Sequence, residues 1–62
     1  MRVIHEGRGG FIEEDDLRFQ IEHIEAGHFC IHLPRGVRLP PEIIEKLKAF
    51  AAARNPAWYV DN

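Results

Sequence analysis

Three residues in this sequence are of types that bind metals and stand two apart: His28, Cys30 and His32. On a strand that spacing puts all three side chains on one face, with neighbours about 7 Å apart. Imidazole, thiolate and carboxylate are the ligands zinc prefers. A hairpin over this region would place Glu22 opposite Cys30 and Gln20 opposite His32. Adjacent members such as His28 and Cys30 could share an ion. His28 and His32 would lie about 13 Å apart, too far to chelate one ion together without a bulge. The paired short spacings of structural zinc sites are absent, so the plainer reading is a polar outer strand face or a face covered by a second subunit. Zinc binding through His28, Cys30, His32 and Glu22 stands as the alternative. Cysteine catalysis is disfavoured, because the same-face histidines are poorly spaced for a direct hydrogen bond and no third residue is placed to orient the base.

Other catalytic chemistry is narrowed by what is missing. The chain has no Ser and no Thr. A hydroxyl nucleophile of the Ser-His-Asp type is therefore impossible, and so is a P-loop. Gly7-Arg8-Gly9-Gly10 lacks the strand-to-helix context of a nucleotide-binding loop and reads as a turn. The expectation is a protein that is not an enzyme and holds no cofactor.

Charge offers two further surfaces. Glu13-Glu14-Asp15-Asp16 lacks the alternating ligands and the glycine of a calcium loop, and reads as a solvated acidic connection. Arg35, Arg38, Lys46, Lys48 and Arg54 could contact phosphates, which gives nucleic-acid binding as a second alternative. Against it, Pro40 and Pro41 remove backbone donors, and Glu42 and Glu45 interrupt the helical lysines. The net charge of −2 is also unlike that of a general nucleic-acid binder, so nucleic acid is not the expected partner. The half before His32 is acidic and the half after it mildly basic, which suits a charged partner or self-pairing.

These residues need elements to position them. Residues 2–6 read as a short strand, and Phe11 and Ile12 as its return. Leu17, Phe19 and Ile21 alternate with Arg18, Gln20 and Glu22, the period of a half-buried strand over 17–25. Phe29, Ile31 and Leu33 alternate likewise with His28, Cys30 and His32. A three-residue loop with Gly27 in the left-handed region puts Ile31 opposite Ile21 and Leu33 opposite Phe19. A slip of one residue would turn the apolar set outward, so this register is expected, with Ile24 beside His28 on the outer face. A rival helix over 16–26 would leave Phe19 off its apolar stripe, and the strand is preferred. Pro41 opens a helix over 41–54 whose apolar stripe is Ile43, Ile44, Leu47, Phe50 and Ala51. Glu42 with Lys46 and Glu45 with Lys48 are expected surface pairs. Pro56 should stop the helix and push Asn55 out of helical geometry. Ala57-Trp58-Tyr59-Val60 then forms an apolar tail, as an edge strand or a strap.

The predicted fold is one α+β domain over residues 1–62, a small antiparallel hairpin or meander with one C-terminal helix on one face and a short aromatic tail. Phe19, Ile21, Phe29, Ile31 and Leu33 should face Ile43, Leu47 and Phe50. A chain of 62 residues buries only roughly 60% of its unfolded surface, and its single cysteine allows no internal disulfide. A homodimer or a protein partner is therefore expected to complete it.

Residues 17–54 resemble the hairpin-then-helix part of small docking domains in modular peptide and polyketide synthetases. The resemblance is carried by Leu33-Pro34-Arg35-Gly36, Leu39-Pro40-Pro41-Glu42 and Leu47-Lys48. The leading helix of those domains is missing. The resemblance implies protein docking. The leading functional expectation is a protein–protein interaction module, an adaptor or an inhibitor of a larger protein. Its contact residues would be Trp58, Tyr59, Ile24, Arg35 and Arg38, with Phe11 and Ile12 extending an apolar patch. No apolar run is long enough for a membrane span, no signal-peptide pattern follows Met1, and a cytoplasmic location is expected.

Overall fold

A computed structural model describes residues 1–54 and 57–61. The elements are β1 (Arg2–Glu6), β2 (Gly9–Glu14), β3 (Leu17–Glu25), β4 (His28–His32), α1 (Pro41–Ala53) and β5 (Trp58–Asp61). They form a five-stranded sheet in the order β1-β2-β3-β4-β5, antiparallel except for the last pair. The expected α+β class and the order of its first five elements hold. The tail is an edge strand, joined to β4 in parallel through α1 as the crossover. Phe29 N–H donates to the Ala57 carbonyl at 2.7 Å, and Leu33 N–H to the Asp61 carbonyl at 3.1 Å.

The alternation in β3 and β4 sets the sheet's two faces. Ile21 lies opposite Ile31, Glu22 opposite Cys30, and Gln20 opposite His32, the register argued from the pattern. The turn closes one residue differently. Glu25 pairs with His28 around Ala26-Gly27, Gly27 has φ +78°, and Ile24 is the extra residue of a bulge rather than the partner of His28. β4 ends at His32, so Leu33 packs on the core without a strand partner at Phe19.

One face is covered by α1. Ile43, Leu47 and Ala51 recur every four residues, so all three point the same way and are buried. They meet Ile12, Phe19, Ile21, Phe29 and Ile31, with Leu17, Leu33, Leu39, Phe50, Trp58 and Val60 around the margin. At about 25 cal/mol per Å², burial of this set is the main force holding helix to sheet. Proline at N1 removes an N–H that the helix would leave unpaired. The helix ends at Ala53, where Arg54 N–H donates to Ala51 O at 3.0 Å. Its guanidinium lies 3.6 Å from the Phe50 ring centroid. The expected distortion at Asn55 and Pro56 falls outside the described residues.

Two local expectations are corrected. Only Gly7 and Arg8 turn the chain, while Gly9 and Gly10 belong to β2 and pair with Glu6 and His5. Both have φ near +150°, at +149° and +146°. A Cβ on Gly10 would lie 1.8 Å from the Ile4 carbonyl oxygen, and one on Gly9 2.5 Å from that of Ile21. Backbones approach that closely only where side chains are absent. Next to this glycine pair β1 curls over the inner face, and the His5 ring comes within 4.8 Å of Phe29 and 5.1 Å of Trp58.

The second correction concerns Glu13-Glu14-Asp15-Asp16. It is not a solvated connection: Glu13 and Glu14 complete β2, and Asp15-Asp16 alone turn into β3, with φ 49° and 65°. Positive φ at both central residues is the geometry of the tight hairpin turn that matches strand twist, and Asp tolerates it. Glu14 is buried on the inner face. The Lys46 ammonium and the Met1 amine, 3.0 Å away, neutralise it. Lys46 is thus spent on β2, where the sequence suggested Glu42 as its partner. Ile12, expected in an exposed patch, is fully buried. It lies on the same face as Glu14, two residues along the strand.

Candidate functional site

The outer face of β3, β4 and β5 carries the residues best suited to chemistry. Cys30 sits between Glu22 on β3 and Tyr59 on β5 in register, and is only 2% exposed although it points away from α1. Burial, and then the Asp61 and Glu22 carboxylates, push its thiol above the ordinary value, while the Asp61 backbone N–H pulls slightly the other way. A thiol so placed stays protonated near neutrality and is a poor nucleophile.

His32 lies between two carboxylates. Its Nε2 is hydrogen-bonded to Glu22 Oε1, and its Nδ1 lies 3.6 Å from Asp61 Oδ2. Cys30, His32 and Asp61 each offer one ligand atom, and the three atoms lie within 4.8 Å of one another. The metal-binding set suggested by sequence is therefore rearranged. Cys30 and His32 come together, and Glu22 joins them as the histidine's partner. His28 does not belong to the group: it is exposed at the start of β4, opposite Glu25. Asp61 takes its place. Sequence reasoning missed Asp61 because nothing in the local pattern says that β5 pairs with β4, or in which direction. The only available signal was an acidic residue ending a short apolar run.

The residues expected to contact a partner are scattered. Trp58 and Tyr59 point to opposite faces, as adjacent strand residues must. Trp58 stacks on Phe29 at a centroid distance of 4.7 Å and meets the edge of Phe50 at 5.5 Å, which makes it mainly a core residue. Tyr59 is exposed on the outer face, and Ile24 is exposed at the hairpin bulge. Phe11 is exposed with the Arg18 guanidinium 4.6 Å above its ring.

Arg35 and Arg38 are exposed in the loop between β4 and α1. That loop and the flank of α1 enclose a groove of about 470 Å³, lined by Leu33, Pro34, Arg35, Gly36, Val37, Leu39 and Ile44. Gly36, at φ +74°, makes the reversal that turns Val37 outward. The basic patch is weaker than the sequence suggested. Lys46 is committed to Glu14 and Arg54 covers Phe50. Arg35, Arg38 and Lys48 remain exposed without an ion-pair partner among the described residues. Among those residues, no helix is long and apolar enough to cross a membrane.

Comparison of the chain with protein-family models, with curated proteins and with solved structures finds no match, so the likeness to docking domains rests on its loop motifs alone.

Proposed function

We propose that this chain is a protein–protein recognition module that grips an apolar segment of a larger protein in the groove between the β4–α1 loop and α1. One observation carries the reading: Val37, 49% exposed, lines this groove together with the partly buried Leu33, Leu39 and Ile44. Apolar side chains gathered in one open groove, rather than scattered singly, are what a contact surface needs. Arg35 lines the groove and Arg38 is exposed next to Val37 in the same loop, so the segment it suits is apolar and bordered by carboxylates. Acting as an adaptor or as an inhibitor are the two uses of such contact. The charged residues at the rim would set association rate and orientation, and the apolar floor the affinity. Nucleic acid is the weaker reading, because Lys46 is occupied and the two loop arginines border an apolar surface.

A photo-crosslinking residue at Val37, expressed in the native host, tests the reading. It should capture one protein in near-stoichiometric yield. The same residue at Ala49, on the exposed side of α1, should capture none, and Arg35→Glu with Arg38→Glu should abolish capture at 37. If position 37 yields no more than position 49, the groove is not a recognition surface. A product of twice the chain's mass would make the partner a second copy.

A further inference from the structure

We infer that Cys30, His32 and Asp61 form a zinc site with an open fourth position, and that Glu22 orients its histidine. The donor set is one thiolate sulfur, one imidazole nitrogen and one carboxylate oxygen. Zinc takes each of these, whereas calcium and magnesium prefer oxygen alone. Zinc bonds of about 2.0–2.3 Å at tetrahedral angles place ligand atoms roughly 3.4–3.6 Å apart. His32 Nδ1 and Asp61 Oδ2 already stand 3.6 Å apart. All three donors fit within 4.8 Å, so closure needs a shift of about an ångström. The Asp61 side chain, 62% exposed, has room for that shift, while His32 is hydrogen-bonded to Glu22 and Cys30 is buried.

Glu22 supplies the independent observation. A metal-bound histidine usually donates its other ring N–H to a carboxylate, which fixes the tautomer and the ring plane. Here Glu22 is hydrogen-bonded to Nε2, and Nδ1 is the ring atom that faces Asp61. That hydrogen bond ties the histidine on β4 to β3. On binding, Cys30 Sγ–H gives its proton to solvent and the sulfur pair bonds the ion; no oxidation state changes. Water fills the fourth position on the solvent side.

The site would also serve the fold. β5 is a four-residue edge strand held through its parallel pairing with β4. An ion bridging Cys30 and His32 to Asp61 cross-links these two strands. Small chains without disulfides commonly gain their missing stability from such a metal.

The test is titration of the untagged, chelator-treated protein with Co²⁺ and then Zn²⁺, read by thiolate-to-cobalt charge transfer and by melting temperature. The expected result is one ion per chain, charge transfer that Zn²⁺ displaces, and a raised melting temperature. Amide exchange should slow in Tyr59–Asp61. Asp61→Asn, at an exposed side chain, and His32→Gln, at a half-buried one, should stay folded by circular dichroism and lose binding at least tenfold. Glu22→Gln should weaken it about 10–100-fold. His28→Ala should bind as the parent does. Absence of charge transfer at excess Co²⁺ overturns the proposal. So does binding that survives Asp61→Asn, or binding that His28→Ala removes.

Discussion

The two faces of the sheet are made from alternate residues of the same strands, yet they obey different rules. On the face toward α1, Phe19, Ile21 and Ile31 are essentially sealed from water, and even its one carboxylate, Glu14, is buried between two cations. On the other face Arg18, Gln20 and Glu22 are exposed, and among the described residues only Cys30 is buried. The inner face is governed by volume, so its residues are constrained by one another. The outer face carries paired charges, Arg18 with Glu13 and His32 with Glu22, so its residues can exchange partners. In so short a chain, the sealed core lies on one side and the grouped polar and ionisable side chains on the other.

The largest test of this contrast is Phe19→Ala. It removes a fully buried ring and should cost about 3–5 kcal/mol, enough to leave a domain this small mostly unfolded in a denaturant titration. Phe50→Ala, at a half-buried position on the margin, should cost clearly less. Equal losses at the two positions would mean that the core extends further along α1 than described.

Next is Gly10→Ala, which probes the curl of β1 over the inner face. The backbone conformation alone costs a residue with a side chain about 1–3 kcal/mol, and the added methyl meets the Ile4 carbonyl. Loss of β1 pairing, seen as rapid amide exchange at residues 2–6, is the expected outcome. Retained protection there would show that β1 does not need the glycine.

The buried carboxylate gives a pH signature. Lys46 first, and then the N-terminal amine, hold the Glu14 carboxyl below its ordinary value of 4.5. Stability from this group is complete above that value and drains away as pH falls through it to the lowered folded value. Glu14 in turn raises Lys46 above its ordinary 10.5, so that contribution is complete below 10.5 and is lost as pH climbs through the raised value. The contribution of this pair to the melting temperature should therefore be flat between these limits and fall at both ends, while the raised Cys30 thiol adds its own loss as pH climbs past 9.0. Glu14→Gln should remove the Glu14 share of the acid slope and lower the plateau. An unchanged acid slope would mean that the cluster is not formed in solution.

The smallest effect is expected on the outer face. Gln20→Ala, directly beside Phe19 in sequence, should change stability by no more than about 0.5 kcal/mol. A larger loss would mean that this face is covered by something, such as a second copy of the chain.

What the sequence by itself determined is the local periodic order. Alternation in residues 17–25 and 28–33 set strand, face and register together, because a slip of one residue exposes Phe19, Ile21 and Ile31 at once. The 3.6-residue stripe of α1 and the proline that starts it were equally plain. Tertiary structure decided the features that depend on which distant groups meet. Glu13-Glu14 reads as solvated because four carboxylates in a row carry no sign of Lys46, 32 residues away from Glu14, or of the amine at Met1. The curl at Gly9-Gly10 follows from how closely two neighbouring backbones pass. Asp61 joins Cys30 and His32 only because β5 lies parallel to β4, at a register fixed by α1 crossing between them. Periodicity is a property of adjacent residues and is written in the chain, whereas the neutralisation of a buried charge and the gathering of ligands belong to the space the folded chain encloses.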